Sequence, residues 1–336
     1  MENRSPDLLE YYTCYFREGM ADISRSNPPP FEVEVPCGQQ DEGLEYVPPT
    51  GAAELREAIA RRYRTVHADE VVLAAGASEA LAAIGFAFTR PGGCVTADRG
   101  TYPSFTEAVT TAGGQLAVSS GPVPGAMLAA ICNPTVPDGR LVDAACLARQ
   151  AAACGAVLVA DEVYRDLVPS GSPAPAAADC DERAMSVGGL SKPLGLGGLR
   201  IGWIATHDAA LRERLDRQLQ LLSGGPAGPS VSAAVAAFER YNEAVDATLT
   251  AATTNAPAVY GALERAGWTF REPEAGLTIE AWPPAPPGPC NEQRVRDAGI
   301  FLVPCSVYGT PGSYRISLLA DRAALERALT LLAGRC

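Results

Sequence analysis

The sequence predicts an α/β protein, with a mainly parallel central sheet sandwiched by helices and a smaller α+β domain following it. Three observations carry this prediction. Short apolar runs rich in Val, Ile, Ala and Leu alternate with amphipathic stretches through the first two thirds of the chain. Those runs are continuously apolar, as strands buried on both faces are. Beyond about residue 225 the alternation stops, and a long helix is followed by clustered strands.

In chain order, strands are expected over 71–75, 94–98, 127–132, 157–161, 185–188 and 201–206. Helices are expected over 78–89, 104–112, 143–154 and 209–222. The segment from about Ser230 reads as one long helix. Strands follow around 269–270, 277–281, 301–303 and 314–318, with a terminal helix from Asp321. The two prominent loops are 169–178 and the PPAPPGP run at 283–289, and no internal repeat is visible. This divides the chain into a large domain over 41–225 and a small domain from 1–40 together with 226–336. Ligands of such sheets bind at the carboxyl ends of the parallel strands.

Composition narrows the function. With 47% hydrophobic and 20% charged residues, 336 residues suffice for a substantial core. A formal net charge of −12 argues against nucleic acid and anionic membrane surfaces as partners. No apolar run approaches the ~20 residues of a membrane helix, and MENRSPDLLEYY lacks the order of a signal peptide, so a cytoplasmic protein is expected. Ten scattered cysteines without a CxxC pair read as reduced, mostly buried thiols. The two histidines, His67 and His207, read as solvated surface residues. They suit neither a metal centre nor a Ser-His-Asp hydrolase.

Among the 27 Lys and Arg residues there is one lysine, Lys192. Arginine replaces lysine wherever a solvated cation suffices, but a guanidinium cannot form an imine. The retained lysine points to work that needs a primary amine; chance retention on a helix surface is the plainer alternative. Its setting is Gly189-Leu-Ser-Lys-Pro-Leu-Gly-Leu-Gly-Gly-Leu-Arg-Ile-Gly202. Small neighbours let a planar cofactor lie against the backbone. The GxGG core makes a poor dinucleotide loop, because no strand-GxGxxG-helix order with a later acidic residue accompanies it.

This segment resembles the lysine signature of the class I and II aminotransferases, the fold-type I enzymes that use pyridoxal 5′-phosphate (PLP). The other landmarks of that family occur in order over residues 36 to 318. The resemblance implies an aspartate aminotransferase-like fold whose large domain binds PLP, with Lys192 holding the cofactor as a Schiff base and acting as base at the substrate Cα. Gly76-Ala77-Ser78-Glu79-Ala80 follows a strand and opens a helix, so the amides of Ala77 and Ser78 can hold the phosphate; an ordinary helix cap is the alternative for Ser78. Tyr102, in Gly-Thr-Tyr-Pro, matches the aromatic that stacks on the ring, or else anchors its loop. Asn133, in Cys-Asn-Pro-Thr, matches the asparagine on the cofactor's phenolic oxygen, and Tyr164 the tyrosine on the same atom. Asp161 closes an apolar strand at the sheet's carboxyl edge, where a carboxylate keeps the ring nitrogen protonated. Its neighbour Glu162 reads as structural.

The resemblance further assigns Arg200 to the phosphate and Arg315, in Tyr-Arg-Ile-Ser, to the substrate α-carboxylate. Tyr46-Val-Pro-Pro-Thr-Gly51 resembles the segment that reaches a neighbour's phosphate, implying a homodimer with shared sites. Gly38 matches a backbone amide near substrate. In Pro304-Cys-Ser-Val-Tyr-Gly309 the family loop carries Cys305 where glycine is common. Two departures stand out. Gly189 replaces a phosphate-binding serine, and the reduced N-terminal arm implies a more open site or an unusual substrate.

Aminotransfer between an amino acid and a 2-oxo acid is the expected reaction. The alternatives are β- or γ-elimination, replacement, cyclisation resembling capreomycidine synthase, or decarboxylation, as in natural-product biosynthesis. A catalytically idle sensor fused to a DNA-binding module has no basic extension before residue 36 to support it. Substrate identity stays open, as does the question of whether Arg99, Arg165, Arg217 or a partner-chain residue reads a distal carboxylate.

Overall fold

The computed structural model describes residues 6–33 and 46–334. Gly38 therefore lies outside the described residues. The chain begins with α1 (Leu8–Tyr15), capped by Asp7 in a reciprocal capping box with Glu10, and a short strand β1 (Ala21–Asp22). Helix α2 (Ala53–Ala60) leads into β2 (Val71–Ala74), α3 (Ala77–Phe88), β3 (Cys94–Ala97), α4 (Pro103–Thr111) and β4 (Gln115–Val118). Then come β5 (Ala126–Cys132), α5 (Ala144–Cys154), β6 (Val157–Asp161), β7 (Met185–Gly189), β8 (Gly202–Ala205) and α6 (Ala209–Leu222). The remainder comprises α7 (Gly228–Glu239), α8 (Tyr241–Arg265), β9 (Thr269–Phe270), β10 (Thr278–Trp282), α9 (Pro289–Asp297), β11 (Ile300–Phe301), β12 (Val303–Pro304), β13 (Tyr314–Ser317) and α10 (Arg322–Ala333).

Seven strands form one sheet in the order β2-β8-β7-β6-β5-β3-β4. It is mainly parallel, as expected, with β8 running against both β2 and β7. Alternation along each strand sends side chains to two covered faces. On one face Val72, Ala74, Val95 and Leu128 meet Leu81 and Ile84 of α3, Phe105 of α4 and Leu215 of α6. On the other, Ala129, Ile131 and Leu158 meet Ala148 and Ala151 of α5. At the β2 end of that face Val71, Leu73 and Trp203 pack with Leu55 of α2 and Ala234 of α7.

A second, antiparallel sheet has the order β12-β13-β10-β9, and its buried Ile279 and Ile316 join Leu263 of α8 and Leu325 and Leu329 of α10 in one core. Strand β1 pairs in parallel with β11, and α1 lies on Phe301 through Tyr11, Tyr12 and Phe16 at 4.7–5.8 Å between ring centroids. The start of the chain is thereby tied to residues nearly 300 positions away.

Several expectations are corrected. Strand β4 is absent from the sequence reading because it is an edge strand whose residues are largely exposed, which removes the apolar signal. The long helix from Ser230 is two helices, broken at Arg240. The single strand over 301–303 is split at Leu302, whose carbonyl accepts from the Tyr11 hydroxyl, so that β11 serves one sheet and β12 the other. His207 is half-buried, not solvated; its ring nitrogens lie 2.9 Å from Glu70 and 3.1 Å from the Thr65 hydroxyl. Among the described residues, only Cys132 and Cys305 of the free thiols are buried, and Cys290 is disulfide-bonded. No helix of the described residues is long and apolar enough to cross a membrane.

Candidate active site

The carboxyl ends of the parallel strands converge on one cleft. Strand β5 ends at Cys132 and delivers Asn133; β6 ends at Asp161; β7 ends at Gly189 and turns into Lys192; the turn after β3 carries Tyr102 to the start of α4. Tyr102, Asp161, Val163 and Lys192 line two adjoining lobes. The outer lobe, about 180 Å³, is walled by Gly76, Ala77, Ser78, Ser191, Gly197 and Arg200. The inner lobe, about 70 Å³, is walled by Leu8, Ser26, Val136, Tyr164, Tyr308 and Arg315. Of the site residues predicted from sequence within the described chain, all line this cleft except Asn133, which lies fully buried next to the lining Cys132, and Tyr46, which is 96% exposed.

The outer lobe is a helix entrance. Gly76 caps α3 with φ +91°, a conformation L side chains rarely adopt, and a Cβ there would lie 2.5 Å from the Arg200 guanidinium. Arg200 itself has φ +52°, and its exposed side chain reaches back to the Ala75 and Gly197 carbonyls at 3.3 and 3.4 Å. The first amides of α3 have no intrahelical partner, so this corner offers N–H groups and a guanidinium to an anion. At Gly189, which replaces the expected serine, a Cβ would lie 3.3 Å from the Ile201 carbonyl and in ordinary contact with the Ala77 methyl at 3.5 Å.

Lys192 lies between the lobes. Its Nζ donates to the Ser26 hydroxyl at 3.0 Å and sits 5.6 Å from the Tyr164 ring centroid. Burial, and then the positive Arg315, lower its pKa to about 8. Asp161 is half-buried in the cleft wall. Burial raises it to about 6, only partly opposed by the Val163 amide at 3.3 Å and by Lys192. Asn133 is fully buried; its Oδ1 accepts from the Val142 amide at 3.1 Å, whereas Nδ2 has no partner. An unpartnered buried donor costs free energy unless a ligand takes it up. Tyr164, pushed up to about 12 by burial, donates to the Ser26 carbonyl at 3.0 Å, and in that arrangement its proton is engaged. Glu162 points away from the cleft and accepts from the Ala177 amide.

In the inner lobe Arg315 is 2% exposed, yet every guanidinium nitrogen is engaged. Nε donates to the Ser24 carbonyl at 2.9 Å, one terminal nitrogen to the Tyr12 hydroxyl at 2.9 Å, and the other to the Tyr308 hydroxyl. Burial opposes the charge, but Tyr308, Tyr12, Tyr164 and Asp22 outweigh it and hold the guanidinium protonated. Ser26, Tyr12, Ser24, Leu8 and Tyr308 are the residues that sequence reasoning missed. The first four belong to the N-terminal segment, of which Leu8 and Ser26 line the inner lobe. Tyr308 stood inside the motif quoted for its Cys305. Arg165 is taken up by the Arg62 carbonyl and by Asp166, with its guanidinium over Tyr63, and Arg99 borders a separate cavity beyond Gly100.

The model of the family described as aminotransferase class I and II matches residues 31–332, which embrace both sheets and all but the N-terminal wall of the cleft. The chain belongs to the class I and II aminotransferases. It is therefore an enzyme of a PLP-dependent family. Among curated relatives, the aspartate/prephenate aminotransferase of Thermus thermophilus is 24% identical over 84% of this chain and 81% of its own length. The capreomycidine synthase of Streptomyces vinaceus is 29% identical over 53% of this chain and 46% of that protein. The fold matches the solved aspartate aminotransferase from Thermus thermophilus with maleate at a TM-score of 0.83 and 21% identity, covering 94% of this chain and 91% of that one.

Proposed function

We propose that the cleft binds PLP in its outer lobe and an α-amino acid in its inner lobe, and that the enzyme exchanges the amino group with a 2-oxo acid. The observation that carries this reading is the position of Lys192, the only lysine in the sequence, between an anion corner at Arg200 and a carboxylate-sized seat at Arg315. The residues present fit the cofactor. Asn133 Nδ2 is a buried donor in want of an acceptor, Asp161 is a carboxylate on the cleft wall opposed only in part by Lys192, and Gly76, Ala77 and Ser78 border the outer lobe beside Arg200.

PLP bound here supplies an aldehyde that captures amines and a ring that withdraws electrons from the substrate Cα. Asn133 and Tyr164 would hold the phenolic oxygen, Asp161 the ring nitrogen, Tyr102 the ring face, and Ala77, Ser78 and Arg200 the phosphate. Lys192 Nζ, with its pKa lowered to about 8, is neutral in about a tenth of molecules at pH 7, far more than an ordinary lysine, as suits a nucleophile and proton carrier. Arg315 orients the substrate carboxylate, and the apolar wall of Leu8, Val136 and Val307 excludes water from the inner lobe. Residues 41–225 form the cofactor domain and 1–40 with 226–336 the small domain. Tyr46 and Leu221, 96% and 74% exposed, belong to a homodimer face. A light-scattering mass for the holoenzyme equal to one 35.0 kDa chain would remove the dimer.

Lys192→Ala is expected to abolish borohydride-trappable cofactor; an undiminished adduct would defeat the assignment. Loss of the visible cofactor band with an amino acid, and its return with a 2-oxo acid, is the expected signature of aminotransfer. The partial match to capreomycidine synthase favours one second reading, elimination with ring closure. Product masses without a 2-oxo acid would select it.

A further inference from the structure

We propose that the Tyr308 hydroxyl is a second carboxylate-binding group, donating its proton to the α-carboxylate held by Arg315. The inference rests on the reading of Arg315 given above. Tyr308 ends a short 3₁₀ turn (Cys305–Tyr308), is 7% exposed, and lines the inner lobe together with Lys192 and Arg315. Its oxygen accepts from Arg315. Among the described residues no acceptor takes the proton of Tyr308 itself. Burial raises the phenol well above its ordinary range, so that proton stays in place.

The other groups on Arg315 lie elsewhere. The Ser24 carbonyl and the Tyr12 hydroxyl hold the guanidinium, and Tyr12 is not part of the lobe wall. Behind Tyr12 stands Asp22, whose carboxyl is raised by burial and steadied by the Ser24 amide at 2.8 Å, by Arg315 and by Tyr12. Of the five guanidinium N–H groups, three are engaged and two remain. The inner lobe therefore presents an anion with the remaining N–H capacity of Arg315 and one neutral O–H from Tyr308. A phenylalanine would fill the same volume; the hydroxyl adds a donor whose proton is paired only when a carboxylate arrives. A ligand without a carboxylate leaves that donor unsatisfied, which makes Tyr308 a discriminator between amino acids and simple amines.

The test is calorimetric titration of the holoenzyme with 4-methylpentanoate, a monocarboxylate without an amine, across wild type, Tyr308→Phe, Arg315→Lys and the double variant. Tyr308→Phe is expected to weaken binding ~10-fold, the scale of a hydrogen bond to a charged group. In the Arg315→Lys background it should still weaken binding at least ~3-fold, since a direct bond to the ligand does not need the guanidinium. If Tyr308 merely steers Arg315, its effect vanishes in that background, and the proposal is overturned. Affinity unchanged by Arg315→Lys would instead overturn the reading of Arg315, whatever Tyr308 does. Should Tyr308→Phe lose cofactor absorbance, 3-fluorotyrosine at 308 replaces it; a more acidic phenol should tighten binding, and no change would count against the proposal.

Discussion

Arg200 stands at the rim of the outer lobe, exposed, with two long contacts to backbone carbonyls. Arg315 lies at the floor of the inner lobe, 2% exposed, with every nitrogen already hydrogen-bonded. The two arginines face the same cleft but solve the problem of anion binding in opposite ways. An exposed guanidinium has little desolvation to recover, is screened by salt, and takes its order from the ligand. A buried one has been ordered during folding, and its surroundings must hold the charge before any ligand comes. On the proposed reading the corner at Arg200 is finished by the cofactor, whereas the seat at Arg315 is finished by the fold.

The largest expected effect breaks this contrast directly. Arg315→Gln leaves the Ser24 carbonyl and two tyrosine hydroxyls without their donor, and should cost the apoprotein about 3 kcal/mol in urea unfolding. Arg200→Gln, the control, should fall within about 0.5 kcal/mol. Equal losses would show that the two sites are built alike. A smaller effect sharpens the comparison with pH. Folding raises the Asp161 carboxyl from 3.8 to about 6, so its contribution to stability is present below pH 3.8 and is lost as pH climbs through 6. Apo Asp161→Asn should therefore gain on wild type by about 2 kcal/mol between pH 4 and 7. It should also bind PLP more weakly at every pH. A constant stability difference across that range would mean that the carboxyl is not strained by burial.

The contrast also explains what could be read in advance. The strands, the order of the landmarks and the outer lobe were legible because each rests on local pattern. Gly76 to Ser78 follow a strand and open a helix, and Arg200 stands eight positions after Lys192. The inner lobe was only half legible. Arg315 has a motif, but its partners Tyr12, Asp22 and Ser24 carry none, and Ser26 gives no sign in sequence of its bond to Lys192. Edge strand β4 and the split at Leu302 escaped for a related reason, since each is decided by what lies beside it.

By itself the sequence determined the fold class, the family through its ordered landmarks, and the strand ends that carry Asn133, Asp161 and Lys192, because burial periodicity and short-range spacing record local backbone geometry. Tertiary structure alone decided how the carboxylate seat is built. The parallel pairing of β1 with β11 and the docking of α1 on Phe301 bring residues 12 to 26 against 308 and 315. Contacts between groups nearly 300 residues apart leave no periodic trace in the chain; they exist only once two sheets and a helix have packed.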